Sequence, residues 1–222
     1  MNADETRLPR LCLEEQLNEI RRDIVSCKKC HSGDGFVSCG KAPDIYCGSD
    51  DIKVLIIGHS PAIKNKRRVE TVLDFDREKS NLRRYIADNL LDPLGITIEN
   101  IYCTNLMKCF TDELPESKEK KSPGTIKAIT DNCFSLLEKE ILAVNPKIVI
   151  SLSETVLKIM TTRFIGKALR MKESFARPFD IAIQGKTYTY IPIVHIPKPR
   201  IKDHYFPEQT ERLKALRSIL LT

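Results

Sequence analysis

Residues 53–62 read Lys53-Val-Leu-Ile-Ile-Gly58-His-Ser-Pro-Ala62. Four consecutive aliphatic residues make a short unbroken apolar run, as in a strand buried on both faces, and the Gly-His-Ser-Pro that follows is turn chemistry. The run therefore predicts a central strand over 53–58 with a loop of chemically useful residues at its carboxyl end. Upstream, Leu13, Leu17, Ile20 and Ile24 recur at helical spacing over Leu13 to Val25, and that helix delivers the pair Cys27 and Cys30. Between them and the strand, His31 to Asp51 holds four of the nine glycines plus Pro43 and reads as a loop.

Downstream, Leu82 to Leu91 predicts a helix and Ile98 to Cys103 a second strand ending at Thr104-Asn105. Thr111 to Gly124 is polar, charged and Pro-containing, and predicts an exposed loop. Ile126, Ile129, Cys133, Leu136, Leu137 and Ile141 form one stripe over Thr125 to Val144, and Asn145-Pro146 stops that helix before strand Lys147 to Leu152. A short helix should follow. The chain then runs through a β-rich stretch, Thr187 to Val194, the sequence His195-Ile-Pro-Lys-Pro-Arg200, and an amphipathic helix carrying Leu213, Leu216, Ile219 and Leu220. Strands alternating with helices predict an α/β fold: a mainly parallel sheet covered on both faces, with its site at the carboxyl ends of the strands.

A chain of 222 residues is long enough for one substantial core, so a single domain over 1–222 is expected. Its hydrophobic fraction of 41% and charged fraction of 30% suit a globular protein rather than a disordered one. No apolar run approaches the roughly 20 residues of a membrane helix, and the start MNADETRLPR lacks the features of a signal peptide, which together predict a cytoplasmic protein with no membrane contact. A net charge of +6 favours a polyanionic partner. Eight cysteines are many for a reducing compartment, so metal binding is their leading explanation.

Three signatures end three predicted strands: Gly58-His-Ser-Pro-Ala62, Thr104-Asn105 and His195-Ile-Pro197. With Cys27-x-x-Cys30, Thr-Asn-Leu-Met-Lys-Cys109, Cys133 in the next helix and Pro146-Lys-Ile-Val-Ile-Ser-Leu-Ser153, this ordered set resembles the uracil-DNA glycosylases of the iron-sulfur families four and five. Family four reads GEAPG, TN followed by KC, a helical Cys, PK-IV-LG and HP; family five opens on GLAPA, closer to the Pro61-Ala62 seen here. The resemblance covers most of the chain and implies a three-layer αβα fold with a central, mainly parallel four-stranded sheet. It also implies a DNA glycosylase that flips its target and hydrolyses the N-glycosidic bond of uracil or another modified base.

The resemblance assigns a 4Fe-4S cluster to Cys27, Cys30, Cys109 and Cys133, with 2, 78 and 23 residues between successive ligands. Soft thiolates hold such clusters well. By the same resemblance His195 would donate to a carbonyl oxygen of the leaving base, Asn105 would bond the base's pairing edge, and Phe75 would stack on the flipped ring. DNA contacts would come from Ser60, Pro61, Lys198 and Arg200, and the run Lys64-Asn-Lys-Arg-Arg68 adds four positive charges nearby. DNA is the expected partner, the protein a monomer, and no small-molecule cofactor is expected beyond the cluster.

The first motif departs from family four where its Glu is replaced by His59. His59 is a catalytic candidate that would orient water, contact the base or line the wall; Asp74 and Asp76, which flank Phe75, would be the alternative source of a carboxylate. Three further readings stay open, the first two because of the altered motif and the third because of the cysteine pattern. One is a glycosylase for a bulky modified base, such as a modified cytosine of phage DNA, in antiviral defence. Another is a DNA- or lesion-binding module that has lost turnover. The third is zinc on Cys27, Cys30, Cys39 and Cys47, against which Cys12, Cys39, Cys47 and Cys103 read as unliganded thiols.

Overall fold

The computed structural model describes residues 12–30, 35–61, 63–64, 67–196 and 199–221. Its strands are β1 (Tyr46–Cys47), β2 (Val54–Gly58), a small hairpin of β3 (Ile63–Lys64) and β4 (Arg67–Arg68), β5 (Ile101–Asn105), β6 (Ile148–Leu152), β7 (Phe179–Ile183) and β8 (Lys186–Ile193). All but the hairpin form one sheet in the order β1-β5-β2-β6-β8-β7. The middle four strands pair in parallel, as expected, and one antiparallel strand is added at each edge. The sheet therefore has six strands rather than four.

β2 lies at the centre because its residues need no exposed face. Val54, Leu55, Ile56 and Ile57 have no solvent exposure, and burying each side chain stabilises by roughly 1.5–3 kcal/mol. Its chain continuation returns on one side as β5, while the next strand, β6, lies on the other. Strand order reverses at β2, and in open α/β sheets the crevice beyond the carboxyl ends at such a reversal is where ligands bind.

The helices are α1 (Leu13–Ser26), α2 (Asn81–Ile86), α3 (Asp92–Leu94), α4 (Pro115–Lys121), α5 (Thr125–Val144), α6 (Glu154–Ile165), α7 (Met171–Ser174), α8 (Pro199–Lys214) and α9 (Arg217–Leu221). Side chains of β5 alternate between the faces of the sheet. Tyr102 and Thr104 reach Glu140 of α5, on which α1 packs, while Asn105 stands on the face of Gly58 and Leu73.

A π-turn over Ala87–Leu91 joins α2 to α3 just before Pro93, which has no N–H for the carbonyl of Asn89. Gln209 of α8 supplies the missing donor through Nε2 at 2.9 Å. Tyr85 of α2 donates to the Val194 carbonyl at 2.8 Å, fixing the backbone immediately before His195. The segment 111–124, expected as a loop, contains α4. Among the described residues, no helix is long and apolar enough to cross a membrane.

Candidate active site and cysteine cavity

A cleft of about 360 Å³ opens at the strand-order reversal. Gly58, His59 and Ser60 follow β2, Leu152 and Ser153 end β6, and His195 follows β8; Leu73, Asp74 and the start of α2 close the remaining side. The sequence signatures Gly-His-Ser and His195 thus meet at one site. Asn105 stands behind Gly58: a Cβ built at position 58 would lie 2.3 Å from Asn105 Oδ1, so glycine leaves the carboxamide its approach to the cleft.

Two buried polar side-chain atoms have no partner among the described residues, His59 Nε2 and Asn105 Oδ1. Both belong to the loop or strand end at this cleft. An unsatisfied buried donor or acceptor costs about 1–3 kcal/mol, so a pair of them marks where a polar ligand belongs. His59 Nδ1 does have a partner, Glu116 Oε1 of α4 at 3.0 Å. Burial lowers the His59 pKa and Glu116 opposes that shift. His195 sits on the rim, its side chain open to solvent, while the protein around its ring draws its pKa below the usual value.

The cleft wall carries backbone strain. Ser153 has φ 99° and ψ 155°, a region that glycine alone visits readily, and Leu73 and Asp74 are consecutive left-handed residues at φ 61° and 56°. Asp74 lines the cleft, whereas Asp76 is engaged by Thr71. Phe75 has no exposure: its ring packs on Tyr46 with centroids 4.3 Å apart, and Arg83 covers it, so it stands behind the cleft wall rather than on it. Ser60 faces the cleft and Pro61 is buried beside it. Arg68 bonds Ser38 and lies over the Phe110 ring, a packing role that the charge run did not suggest. Lys198 and the side chain of Arg200 lie outside what is described.

Cys27, Cys30, Cys109 and Cys133 line one apolar cavity, and Cys39 joins them. The end of α1 brings the first pair, the segment after β5 brings Cys109, and the buried stripe of α5 brings Cys133. Cys47 is on the edge strand β1 instead, so the cysteine set of the zinc reading is not assembled. Among the described residues no three His, Cys, Asp or Glu side chains gather closely enough for a single metal ion.

The sulfurs nevertheless receive donors suited to thiolates. Asn132 Nδ2 reaches Cys30 Sγ at 3.4 Å, and the N–H groups of Gly40 and Lys108 serve Cys109 and Cys133. A proton on Cys133 hydrogen-bonds Cys30, which lowers the Cys30 pKa and raises that of Cys133. Burial pushes Cys109 to about 11. Several thiols, an apolar wall and N–H donors suit a multi-iron group that spreads its ligands, and fit a lone ion poorly.

The cavity and the cleft share a support. Lys108 and Glu140 form a wholly buried ion pair, to which Thr104 and Tyr102 add hydroxyl groups; Lys108 also donates to Thr104 at 2.7 Å. Asn105 follows Thr104 and Cys109 follows Lys108 directly in the chain.

Residues 45–217 match the sequence model of the uracil DNA glycosylase superfamily. The chain belongs to that superfamily. One relative is the type-4 uracil-DNA glycosylase of Archaeoglobus fulgidus, 19% identical over 195 residues, which make up 86% of this chain and 88% of the relative. Sequence reading missed the His59-Glu116 contact of this uracil DNA glycosylase superfamily member, because Glu116 lies far along the chain in a segment without apolar periodicity.

Proposed function

We propose that the protein is a DNA N-glycosylase that takes a flipped uracil, or another modified base, into the cleft at the end of β2 and hydrolyses its bond to the sugar. The observation that carries this reading is the pair of orphaned polar atoms, His59 Nε2 on a residue that lines the cleft and Asn105 Oδ1 just behind its Gly58 wall, at a cleft whose volume is at the lower end of small-ligand sites, roughly 300–1,000 Å³. An acceptor such as Asn105 Oδ1 calls for an N–H donor, which the pairing edge of uracil presents. His195, held by the Tyr85 bond to Val194, would donate to a base carbonyl oxygen as negative charge grows there. Phe75 would reach the base only by leaving its packing on Tyr46, or would support the wall from behind. Ser60, Pro61, Lys198 and Arg200 would meet the DNA backbone.

Cys27, Cys30, Cys109 and Cys133 would hold a 4Fe-4S cluster that braces α1, the segment after β5 and α5 together. When bound, the cluster would supply structural cross-linking; the chemistry at the sugar is left to the side chains of the cleft.

Protein purified without oxygen, mixed with oligonucleotides each carrying one uracil or one modified base and then treated with alkali, tests the reading. Strand breaks at uracil that vanish in His195→Ala and Asn105→Ala support it, and breaks confined to a modified cytosine would move the substrate to a bulkier base. Binding to DNA with no base released from any oligonucleotide would leave a lesion-binding module instead.

A further inference from the structure

The cleft presents no acid at the second position of the first motif, and the structure places a different device there. We propose that His59 is the base that activates the attacking water and that Glu116 of α4 is its positioning residue. This rests on the glycosylase reading above.

A neutral imidazole carries one N–H and one lone pair. Glu116 Oε1, 3.0 Å from Nδ1, accepts that N–H, so the lone pair falls on Nε2. Nε2 is sealed from bulk water and finds no donor in the described protein, on a side chain that lines the cleft. A water admitted between His59 and the sugar as the flipped nucleotide is seated would be its donor. In the step, the water oxygen bonds to C1′ as the bond from C1′ to the base nitrogen breaks. The electron pair leaves on the base, and the water proton passes to Nε2. The carboxylate at Nδ1 stabilises the imidazolium so formed, as the buried acid does in a Ser-His-Asp triad.

The charged segment 111–124 is what brings Glu116 there. Pro115 is buried at the first turn of α4, and Glu119 caps α5 by accepting from the N–H groups of Gly124 and Ile126 at 2.6 and 2.7 Å. The Lys118 ammonium lies 5.2 Å from the Phe36 ring centroid. These contacts hold a seven-residue helix at a fixed place, and its acidic first turn also suits the helix dipole. Besides Glu116, the titratable groups sharing the cleft with His59 among the described residues are Asp74 and His195.

The test combines ¹⁵N spectra of the histidine rings with single-turnover cleavage as a function of pH. Wild-type His59 should show the Nδ1–H tautomer. His59→Ala should lose about 100-fold or more in rate. Glu116→Gln keeps an acceptor for Nδ1 but not the charge: it should retain the tautomer, lose about tenfold in rate with little change in substrate affinity, and move the rising pH limb to lower pH. Glu116→Leu should lose the tautomer as well, and Glu116→Asp should recover most of the rate. An Nε2–H tautomer in the wild type, or Glu116→Gln and Glu116→Leu cutting at the wild-type rate on an unmoved limb, overturns the assignment. A wild-type protein that releases no base overturns the glycosylase reading and the base role with it, whatever the ring spectra show.

Discussion

Gly58 and Asn105 face each other across two parallel strands, and a methyl group at position 58 would come within 2.3 Å of Asn105 Oδ1 and 2.6 Å of Leu73 Cδ2. Space, not backbone freedom, requires the glycine. Gly58→Ala should destabilise by about 1–3 kcal/mol, as overpacking does, and should lower base release further by displacing the Asn105 carboxamide. Urea unfolding and oligonucleotide cleavage on the same preparation check both; a variant with wild-type values in each refutes the account.

Ser153 stands where the LG glycine of the resembled family would fall, and it holds φ 99° and ψ 155° without being glycine. Such a conformation costs on the order of 1–3 kcal/mol. Its hydroxyl accepts from Val156 N at 3.4 Å as the cap of α6, but replacing a capping serine by glycine costs only a few tenths of a kcal/mol. Ser153→Gly should therefore stabilise the protein, raising the urea midpoint with no change in slope. A lower midpoint would show that the cap outweighs the strain.

The sheet and the site were legible to different depths. β2 and α5 announced themselves because burial imposes an unbroken apolar run on one and a stripe on the other. α4 was hidden: only Pro115 of its seven residues is buried, and capping and ion pairs hold it rather than a packed face. β7 was missed although Phe179–Ile183 alternates and Gln184-Gly185, both at positive φ, turns it into β8. His195, Asn105 and the four cysteines were singled out by motif order, and the fold brings His195 to the cleft and the four cysteines to one cavity. Glu116 reaches its site through space alone, with no spacing to betray it, whereas Cys39, grouped with Cys27 and Cys30 only in the zinc reading, lines the cavity with them.

Glu140 is wholly buried and is bonded by Lys108, Thr104 and Tyr102. Removing one partner of a buried ion pair leaves an uncompensated charge, which costs roughly 3–5 kcal/mol. Glu140→Leu should lose about that much stability, and Lys108→Met combined with Glu140→Leu should recover a large part of it. A double-mutant cycle by chemical denaturation measures the coupling; additive losses would mean that the pair is not coupled.

The cysteine cavity makes a divided expectation. Cys109→Ser and Cys133→Ser should lose iron, sulfide and several degrees of thermal stability, since each removes a sulfur from the common cavity. Cys47→Ser, on edge strand β1, should keep the full iron content. Cys39→Ser should keep it too if the four resembled ligands are the true set. Iron loss in Cys39→Ser with retention in Cys109→Ser would assign the ligand to Cys39 instead.

His59 and His195 also set how stability responds to acid. Burial of His59, and the protein around the ring of the more exposed His195, hold both below the ordinary histidine pKa, with Glu116 opposing at His59. The unfolded chain, with histidines near 6.5, then binds more protons than the folded one between the folded values and 6.5. Stability rises with pH across that window, is complete above it, and is lost as pH falls through the folded values. His59, with 12% of its side chain exposed, should dominate, because solvent at the rim weakens the effect at His195. Urea midpoints at several pH values from about 7.5 down to about 5.5 should therefore fall more steeply in the wild type than in His59→Gln, the carboxylates common to both cancelling. Parallel slopes would mean that folding leaves the protonation of His59 unchanged.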